Sequence, residues 1–352
     1  MADPPVTVEQ AIESQAVSCG PNGSALYGLL LTGLLTDYRN GGLTAEFLDG
    51  VSAKPWNDAI ALRYLATAHR LALSGAAPRL ARHYPSCGGR WGGDEITDDF
   101  LTVVAENRTE FTAGMRRNVQ TNEVGRAAVL ASGFALIASR FGPVLDTLEL
   151  GSSAGLLSRW DRYHYATGDS GFGDESSGVG FDPSWWVSPT KPGLGSQPRV
   201  RNRSASDISP IDISTADGRL TMLSFVWPDQ LERVDRLRAA LVIATEFPVR
   251  VEQADAGEWL ARRLAEGLRP GASTVVFHSI VWQYLGRTTK DAVRTTLNAA
   301  GALARQDTPL LWLRMEPATT AHADLRLTTW PGGDDEVLAN VGYHGAGIRW
   351  LL

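Results

Sequence analysis

One short segment of the sequence combines an acidic side chain with closely spaced small residues. It reads Leu148-Glu149-Leu150-Gly151-Ser152-Ser153-Ala154-Gly155-Leu156. The apolar residues before Gly151 favour a β-strand, and the small residues after it permit a tight turn where backbone can approach a ligand. A helix that begins at such a turn presents free N–H groups to an anionic or polar group. The segment predicts a nucleotide-type cofactor loop, and an ordinary tight strand-to-helix turn is the alternative.

The spacing of this segment differs from the dinucleotide fingerprint GxGxxG. Its Glu-x-Gly-x-Ser-x-Gly order is similar to the cofactor loop of S-adenosylmethionine-dependent methyltransferases, with Ser153 in place of the middle glycine. The resemblance implies that Glu149, Gly151, Ser153 and Gly155 bind S-adenosylmethionine. The histidines show no metal-binding spacing such as HxxxH, so we expect no catalytic metal.

Two acidic residues further along the chain stand where the same resemblance implies cofactor contacts. Asp207 follows the second β-rich run, where an acidic side chain commonly holds the ribose hydroxyls. Asp255 follows the third run, where an acidic side chain faces the adenine amine. Asp169 replaces Asp207 in this role if the second strand is instead Tyr163–Thr167.

A histidine at the end of the fourth run is the candidate general base. Histidine is a common general base because the ordinary pKa of an imidazole lies close to working pH. His278 stands at the carboxyl end of a strand, where substrates of open α/β sheets lie. Tyr284, six residues later, could line the same pocket. A satisfied structural histidine is the alternative for His278, and it is the favoured interpretation of His69 and His344.

The turn also matches the hydrolase pattern GxSxG as Gly151-Ser-Ser-Ala-Gly155. In that interpretation Ser153 is a nucleophile, served by His278 or His344 further along the chain. We rank it below the methyltransferase resemblance, because the acidic residue before the turn and the predicted hairpin near the C-terminus suit a methyltransferase better.

A polar segment, Gln120-Thr-Asn-Glu-Val-Gly-Arg126, precedes an apolar helical stretch. Asn122 or the threonine before it could cap that helix, with Glu123 in the first turn. The functional alternative is that Gln120, Asn122 and Arg126 bind substrate and that Glu123 takes part in catalysis. Arg126 could then hold a carboxylate in a bidentate manner.

The elements that must position these residues fall into two groups. Apolar spacings of three and four predict helices at Ala11–Ala16, Ser24–Tyr38, Trp56–Ser74, Phe100–Asn107 and Val124–Arg140, and Pro228 and Asp229 favour another at Gln230–Ala244. β-rich runs follow at Val144–Leu150, Arg199–Ser204, Pro248–Gln253, Ser273–His278 and Leu310–Met315, with a closing pair at Leu325–Trp330 and Val337–Tyr343. We therefore expect an α-helical N-terminal domain over residues 1–142. An α/β domain over 143–352 would follow, with an insertion around 167–197.

The whole sequence also resembles a bacterial family catalogued as a domain of unknown function, with a helical N-terminal half and a methyltransferase-like C-terminal half. The matching segments are Tyr84–Ser86, Gln120–Arg126, Gly151–Leu156, Val226–Gln230, Val276–Ser279, Trp330–Gly333 and Tyr343–Gly345. The resemblance implies a Rossmann-like class I methyltransferase sheet that ends in a reversed antiparallel hairpin. Leu157 stands where the family's loop is expected to carry Asn.

Composition excludes several classes of function. The 352 residues are 43% hydrophobic and 20% charged, which is typical of a globular protein, and the net charge of −6 argues against a nucleic-acid surface. With only Lys54, Lys191 and Lys290 as lysines, no polybasic segment is present to hold a membrane. Cys19 and Cys87 cannot form a disulfide framework, and the first residues lack the basic region of a signal peptide. We expect a cytoplasmic protein.

These observations predict an enzyme that modifies a small or carrier-bound polar metabolite, by methyl transfer from S-adenosylmethionine. The alternatives are a cofactor-free displacement, such as intramolecular ring closure of an amine, and a non-catalytic partner subunit of another enzyme. Trp185 and Trp186 could wall a substrate pocket or form an interface with a protein partner or a second copy.

Overall fold

The computed structural model describes residues 6–20, 23–91, 93, 95–168, 170–190 and 192–352. It shows a mixed α/β protein with a large, mostly parallel sheet and many helices. The chain forms two compact units, residues 1–121 with 213–238 and residues 122–212 with 239–352. The division lies at residue 121, whereas the sequence pattern places the boundary at 142. Residues 213–238, which follow the second strand of the large sheet, belong to the first unit.

The first unit is helical and has a core of its own. Its helices are α1 (Val8–Cys19), α2 (Ala25–Arg39), α3 (Leu43–Leu48), α4 (Ile60–Leu73), α5 (Pro78–Ala81), α6 (Glu95–Glu106), α7 (Arg108–Gly114) and α9 (Ala216–Ser224). The core packs Tyr64 edge-to-face against Phe100 and Phe111, with ring centroids 5.1 and 5.3 Å away. Ser24 begins α2 by accepting the Tyr27 amide, as expected of an N-cap serine. Helix α10 (Leu231–Glu246) starts in this unit and ends in the second.

The second unit contains the large sheet and the helices that precede or follow its strands. The main strands are β1 (Val144–Leu150), β5 (Arg199–Asp207), β6 (Val251–Gln253), β7 (Ser273–Ser279), β8 (Leu310–Pro317), β9 (Ala323–Trp330), β10 (Asp334–Val341) and β11 (Arg349–Trp350). The helices of this unit include α8 (Ala127–Phe141), α11 (Ala256–Ala265) and α12 (Arg287–Gly301). Within the described residues the strand order is β11-β10-β9-β8-β7-β1-β5-β6, and the pairs from β6 to β8 are parallel.

The closing hairpin is antiparallel, as predicted, but it is not reversed. Strand β9 pairs with β8 and β10 pairs with β9, so each strand lies beside its neighbour in sequence. A reversed hairpin would instead place β10 between β8 and β9. The reason is the short connection between Pro317 and Ala323, which face each other across the β8–β9 pair. A connection of this length permits only an antiparallel turn onto the adjacent position.

The inserted segment forms a small separate sheet with the order β3-β2-β4. Its strands are β2 (His164–Ala166), β3 (Gly171–Phe172) and β4 (Gly180–Phe181). The rings of Tyr165 and Phe181 stack on one another at 5.2 Å. Tyr163–Thr167 therefore does not supply the second strand of the large sheet, and Asp169 lies outside the described residues. Further along this segment Trp186 is buried and donates its indole N–H to Ser132, so it is part of the core.

One helical stretch in the described part of the chain, Val124–Phe141, is by length and composition apolar enough to cross a membrane. Inside the protein, 78% of this stretch is buried. It includes α8, whose Phe134 ring stacks on Trp160 at 4.0 Å and meets Phe277 of β7 edge-on. These contacts are those of a core helix that packs on a sheet.

Candidate functional site

The turn after β1 has the backbone that its small residues predict. Gly151, Ser153 and Gly155 have φ angles of 66°, 53° and 70°, so left-handed residues alternate with ordinary ones. Glycine adopts this region without strain, whereas serine does not. The turn leads into a short 3-10 helix, Leu157–Arg162, which is interrupted by non-helical backbone at Arg159. The sequence predicted an α-helix after the turn, and this 3-10 helix stands in its place.

Most amides of the turn are already bound by acceptors of the protein. The bonds run from the Ser152 amide to the Ser206 carbonyl (3.0 Å), from Ser153 to Asp207 Oδ2 (2.8 Å), from Gly155 to the Ser152 carbonyl (2.7 Å) and from Leu156 to Asn122 Oδ1 (2.7 Å). A ligand could use these donors only after the existing bonds broke. The turn is therefore built as a self-satisfied structure.

The space beside Gly151 is filled by a side chain from the loop after β7. A Cβ added at Gly151 would lie 2.2 Å from Val281 Cγ2, closer than any van der Waals contact. In a cofactor-binding turn, the bare glycine backbone faces the ligand. Here it faces Val281.

Glu149 is buried in β1 between the neighbouring strands β5 and β7. Burial raises the pKa of its carboxyl group to about 8, and the hydrogen bond from the Ser158 hydroxyl only partly offsets that. Near neutral pH this carboxyl group is protonated. It links β1 to the 3-10 helix through this hydrogen bond, and only 2% of the residue is exposed.

Two other predicted cofactor residues hold backbone in place. Asp207 is buried at the end of β5 and accepts the Ser153 amide with one oxygen and the Ser209 amide with the other. Asp255 caps α11, where it accepts two backbone amides, and it also accepts the hydroxyl of Thr289 at 2.7 Å. Both carboxylates therefore have the structural roles that turns and helix starts require.

His278 forms the most distinctive polar pair of the second unit. It lies at the end of β7 with its ring fully buried, and its Nδ1 is 2.6 Å from Glu316 Oε1. The same Glu316 oxygen accepts the backbone amides of Val281 (3.0 Å) and Trp282 (3.2 Å). A carboxylate oxygen cannot donate, so His278 carries a proton on Nδ1 and its neutral form offers the lone pair of Nε2.

Several polar atoms around this pair have no hydrogen bond to any described residue. They are His278 Nε2, Glu316 Oε2, Ser279 Oγ and Trp312 Nε1. The rings of Trp282 and Trp312 flank the imidazole at 5.5 and 5.8 Å, and Trp282 is nearly parallel to it. Unpaired buried polar atoms are costly, and a group of them is typical of a functional site.

The polar segment before α8 reaches the same edge of the sheet. Arg126 donates to the carbonyls of Tyr343 (3.0 Å) and Ser279 (3.4 Å), and Asn122 holds the turn after β1. Glu123 caps the following 3-10 turn by accepting the Gly125 amide. Arg126 thus braces backbone at the end of β7, although the sequence suggested a carboxylate clamp.

Close backbone packing joins this segment to the end of the chain. A Cβ on Gly125 would lie 2.3 Å from the His344 carbonyl oxygen, and one on Gly345 would lie 2.2 Å from the Gly125 carbonyl oxygen. Glycine at both positions permits this approach. The segments 122–126, 151–156, 276–279 and 343–345, which carry the family resemblance, therefore meet at the carboxyl end of the parallel strands.

The remaining predicted site residues lie elsewhere. Gln120 is buried in the first unit, and Tyr284 is 64% exposed on the loop after β7. His69 is also in the first unit, where Nε2 meets the Ser86 hydroxyl at 2.7 Å and Nδ1 meets the Ser224 carbonyl at 3.1 Å. Burial lowers its pKa to about 4, as suits a structural histidine.

The hydrolase interpretation of the turn is not favoured by the geometry. The Ser153 amide is held from β5 by Asp207, and the imidazole of His278 is held from β8 by Glu316. Strands β5 and β8 lie on opposite sides of the β1–β7 pair, so the two residues are anchored in opposite directions. The described contacts include no hydrogen bond between them.

Sequence reasoning missed Glu316, the residue that orients His278. The available signal was its place at the end of the fifth β-rich run, one residue beyond the predicted strand Leu310–Met315. Register pairs His278 with Arg314, which brings Glu316 to the end of the same two strands. Within the described residues, no three His, Cys, Asp or Glu side chains are grouped as metal ligands.

Comparison with known families confirms the resemblance to a bacterial family of unknown function, and it does not bear on the methyltransferase-like half. Residues 9–350 match the family described as "Uncharacterized protein conserved in bacteria (DUF2332)", and the chain belongs to that family. No curated protein and no solved structure matches the chain significantly.

Proposed function

We propose that the chain is an enzyme that modifies a small polar molecule by general base catalysis, with His278 as the base. The observation that carries the proposal is the buried His278–Glu316 pair with its unpaired Nε2. Glu316 fixes the tautomer and stabilises the imidazolium that forms when Nε2 takes a proton, as a carboxylate does behind a catalytic histidine. A well-placed base of this kind contributes about 10²- to 10⁴-fold to a rate.

The order of the parallel strands supports a Rossmann-like sheet. Numbered by position along the chain, β6-β5-β1-β7-β8 follow the order 3-2-1-4-5. In such sheets ligands bind beyond the carboxyl ends, where the strand order reverses, which here is between β1 and β7. Gly151, Val281 and His278 follow or end these two strands, so the base lies where this architecture places its ligands.

The residues of the turn do not fit S-adenosylmethionine as the methyltransferase resemblance requires. Val281 fills the space at Gly151, Asp207 holds the turn itself, and Asp255 caps a helix. Four amides of the turn are bound within the protein, and no α-helix starts there. Methyl transfer from this cofactor is therefore the less supported form of the proposal.

The supported form is a cofactor-free displacement, of which ring closure of an amine is an example. The amine nitrogen forms a bond to carbon, the leaving group departs with the electron pair of the broken bond, and Nε2 of His278 takes the proton from nitrogen. The enzyme supplies proximity and a base, which suffice for an intramolecular displacement.

Access to His278 requires movement of the loop after β7. The imidazole is fully buried, and Val281 and Trp282 of this loop cover the turn and the ring. Ile280, where the loop begins, has a φ of 51°, which is strained for a β-branched residue. Loops that cover active sites commonly open and close during turnover.

Two experiments test the proposal. Calorimetric titration with S-adenosylmethionine and S-adenosylhomocysteine should give no binding heat at millimolar ligand. If S-adenosylmethionine instead bound with micromolar affinity and Asp207→Ala abolished that binding, methyl transfer would become the favoured form of the proposal.

The second experiment measures product formation from bacterial metabolite extracts without added cofactor. The rate should fall about 100-fold or more in His278→Asn. His322→Asn, in the β8–β9 connection, is the matched control, and equal activity of the two variants would refute His278 as the base.

A further inference from the structure

We propose that the second unit also holds an anion-binding groove beside the edge strand β6, separate from His278. The groove has a volume of about 310 Å³, and its charged lining consists of Arg203, Arg250, Arg263 and Glu252. This volume lies at the lower end of the range for small-molecule sites. Strand β6 is three strand spacings from β7, which amounts to roughly 14 Å.

Two of the three guanidinium groups are held in place by ion pairs. Arg203 binds both oxygens of Asp161, at 2.8 and 2.9 Å, and donates to the Ser158 carbonyl. Arg263 pairs with Glu252 and, at 3.3 Å, with Glu266, and its guanidinium carbon lies 5.6 Å from the centroid of the Trp259 ring. These contacts fix the orientation of both planar groups.

Arg250 supplies the charge that is not neutralised. It is exposed and has no ion-pair or hydrogen-bond partner among the described residues, although it lines the groove with the two paired arginines. The Arg203–Asp161 pair is neutral overall, and so is the cluster in which Arg263 and Arg269 share Glu252 and Glu266. The excess positive charge at the groove is therefore that of Arg250, which suits a single anionic group.

The donors that remain define the chemistry of the ligand. The Nε–H groups of Arg203 and Arg263 form no hydrogen bond with the described residues, and Arg250 keeps its full set of donors. Guanidinium groups bind the oxygens of phosphates and carboxylates in pairs. Pro248 and Val249 complete the lining with apolar surface. The ligand class is thus a small molecule that carries one phosphate or carboxylate next to an apolar group.

The test is an NMR titration of the full chain with phenyl phosphate and with benzoate at constant ionic strength, in which chemical shifts are measured. We expect saturable shifts for at least one of the two, and the stronger binder identifies the anionic group. Arg250→Gln should weaken binding at least tenfold. Arg287→Gln, at the start of α12, removes the same charge from an exposed residue outside the groove lining and should leave binding unchanged.

A second variant acts in the opposite direction. Glu252→Gln removes one of the two carboxylates paired with Arg263 and leaves Glu266 in place, so it adds one net positive charge to the groove. It should tighten binding several-fold, which a damaged fold would not do. The proposal is overturned if neither probe saturates, or if the Arg250 and Arg287 variants weaken binding equally. It is also overturned if Glu252→Gln weakens binding. None of these outcomes depends on the activity of His278, so this site and the proposed function are tested separately.

Discussion

Replacing Glu149 by Gln should make the protein more stable at alkaline pH. Burial raises the pKa of this carboxyl group to about 8, whereas its ordinary value is 4.5. Between these values the unfolded chain loses the proton and the folded chain keeps it. Stability therefore falls as the pH rises from 4.5 to about 8, and the full cost is present above pH 8.

The two pKa values set the size of the effect. At about 1.36 kcal/mol per pKa unit, the difference between 4.5 and about 8 corresponds to roughly 5 kcal/mol. A glutamine side chain at this position would be a neutral group of the same shape that still offers an oxygen to Ser158. The gain in unfolding free energy should be near zero below about pH 4.5, about 2 kcal/mol at about pH 6 and roughly 5 kcal/mol above about pH 8.

The assay is urea unfolding of the wild type and the variant at several pH values, followed by circular dichroism. Asp146→Asn, on the same strand, is the matched control. Burial raises the pKa of Asp146, but hydrogen bonds from Arg201 and Asn202 outweigh it and lower the pKa overall. That variant should lose stability at neutral pH. A stability difference between wild type and Glu149→Gln that stays constant from about pH 5 to 9 would refute the reasoning.

Three further outcomes are expected. As the pH falls from 6.5 to 4, the unfolding free energy of the wild type should drop by roughly 3 kcal/mol, because the buried His69 ring resists protonation. Urea unfolding of His69→Gln should not show this drop. Gly151→Ala should lower the unfolding free energy by about 1–3 kcal/mol more than Gly267→Ala, because the added methyl group collides with Val281 only at residue 151. Equal melting temperatures of the two variants would contradict this. Asp255→Ala should cost about 1–2 kcal/mol by removing the cap of α11, and Asp255→Asn should recover at least half.

The sequence determined most of the secondary structure, because local patterns carry that information. The apolar run Val144–Leu150 is β1 to the residue, and the run predicted at Ser273–His278 is one residue shorter than β7. The tight turn after β1 followed from its small residues, and its left-handed angles at Gly151 and Gly155 are those that glycine allows.

Other features depended on contacts between distant parts of the chain. The order of β8, β9 and β10 follows from a short connection, which composition does not reveal. Assignment of residues 213–238 to the first unit depends on long-range packing, such as the bond between the Ser86 amide and the Pro228 carbonyl. Periodicity reports which face of an element is buried, but it does not report against which partner.

The candidate site shows the same division. The sequence alone selected His278, the turn Gly151–Gly155 and the segment Gln120–Arg126, because their residue types suit a base, a close backbone approach and polar contacts. Only the tertiary structure showed that Glu316 orients His278 and that Val281 fills the space at Gly151. Residue type limits the chemistry that a side chain can perform, whereas its partners, which the fold brings from other strands, decide which part of that chemistry is available.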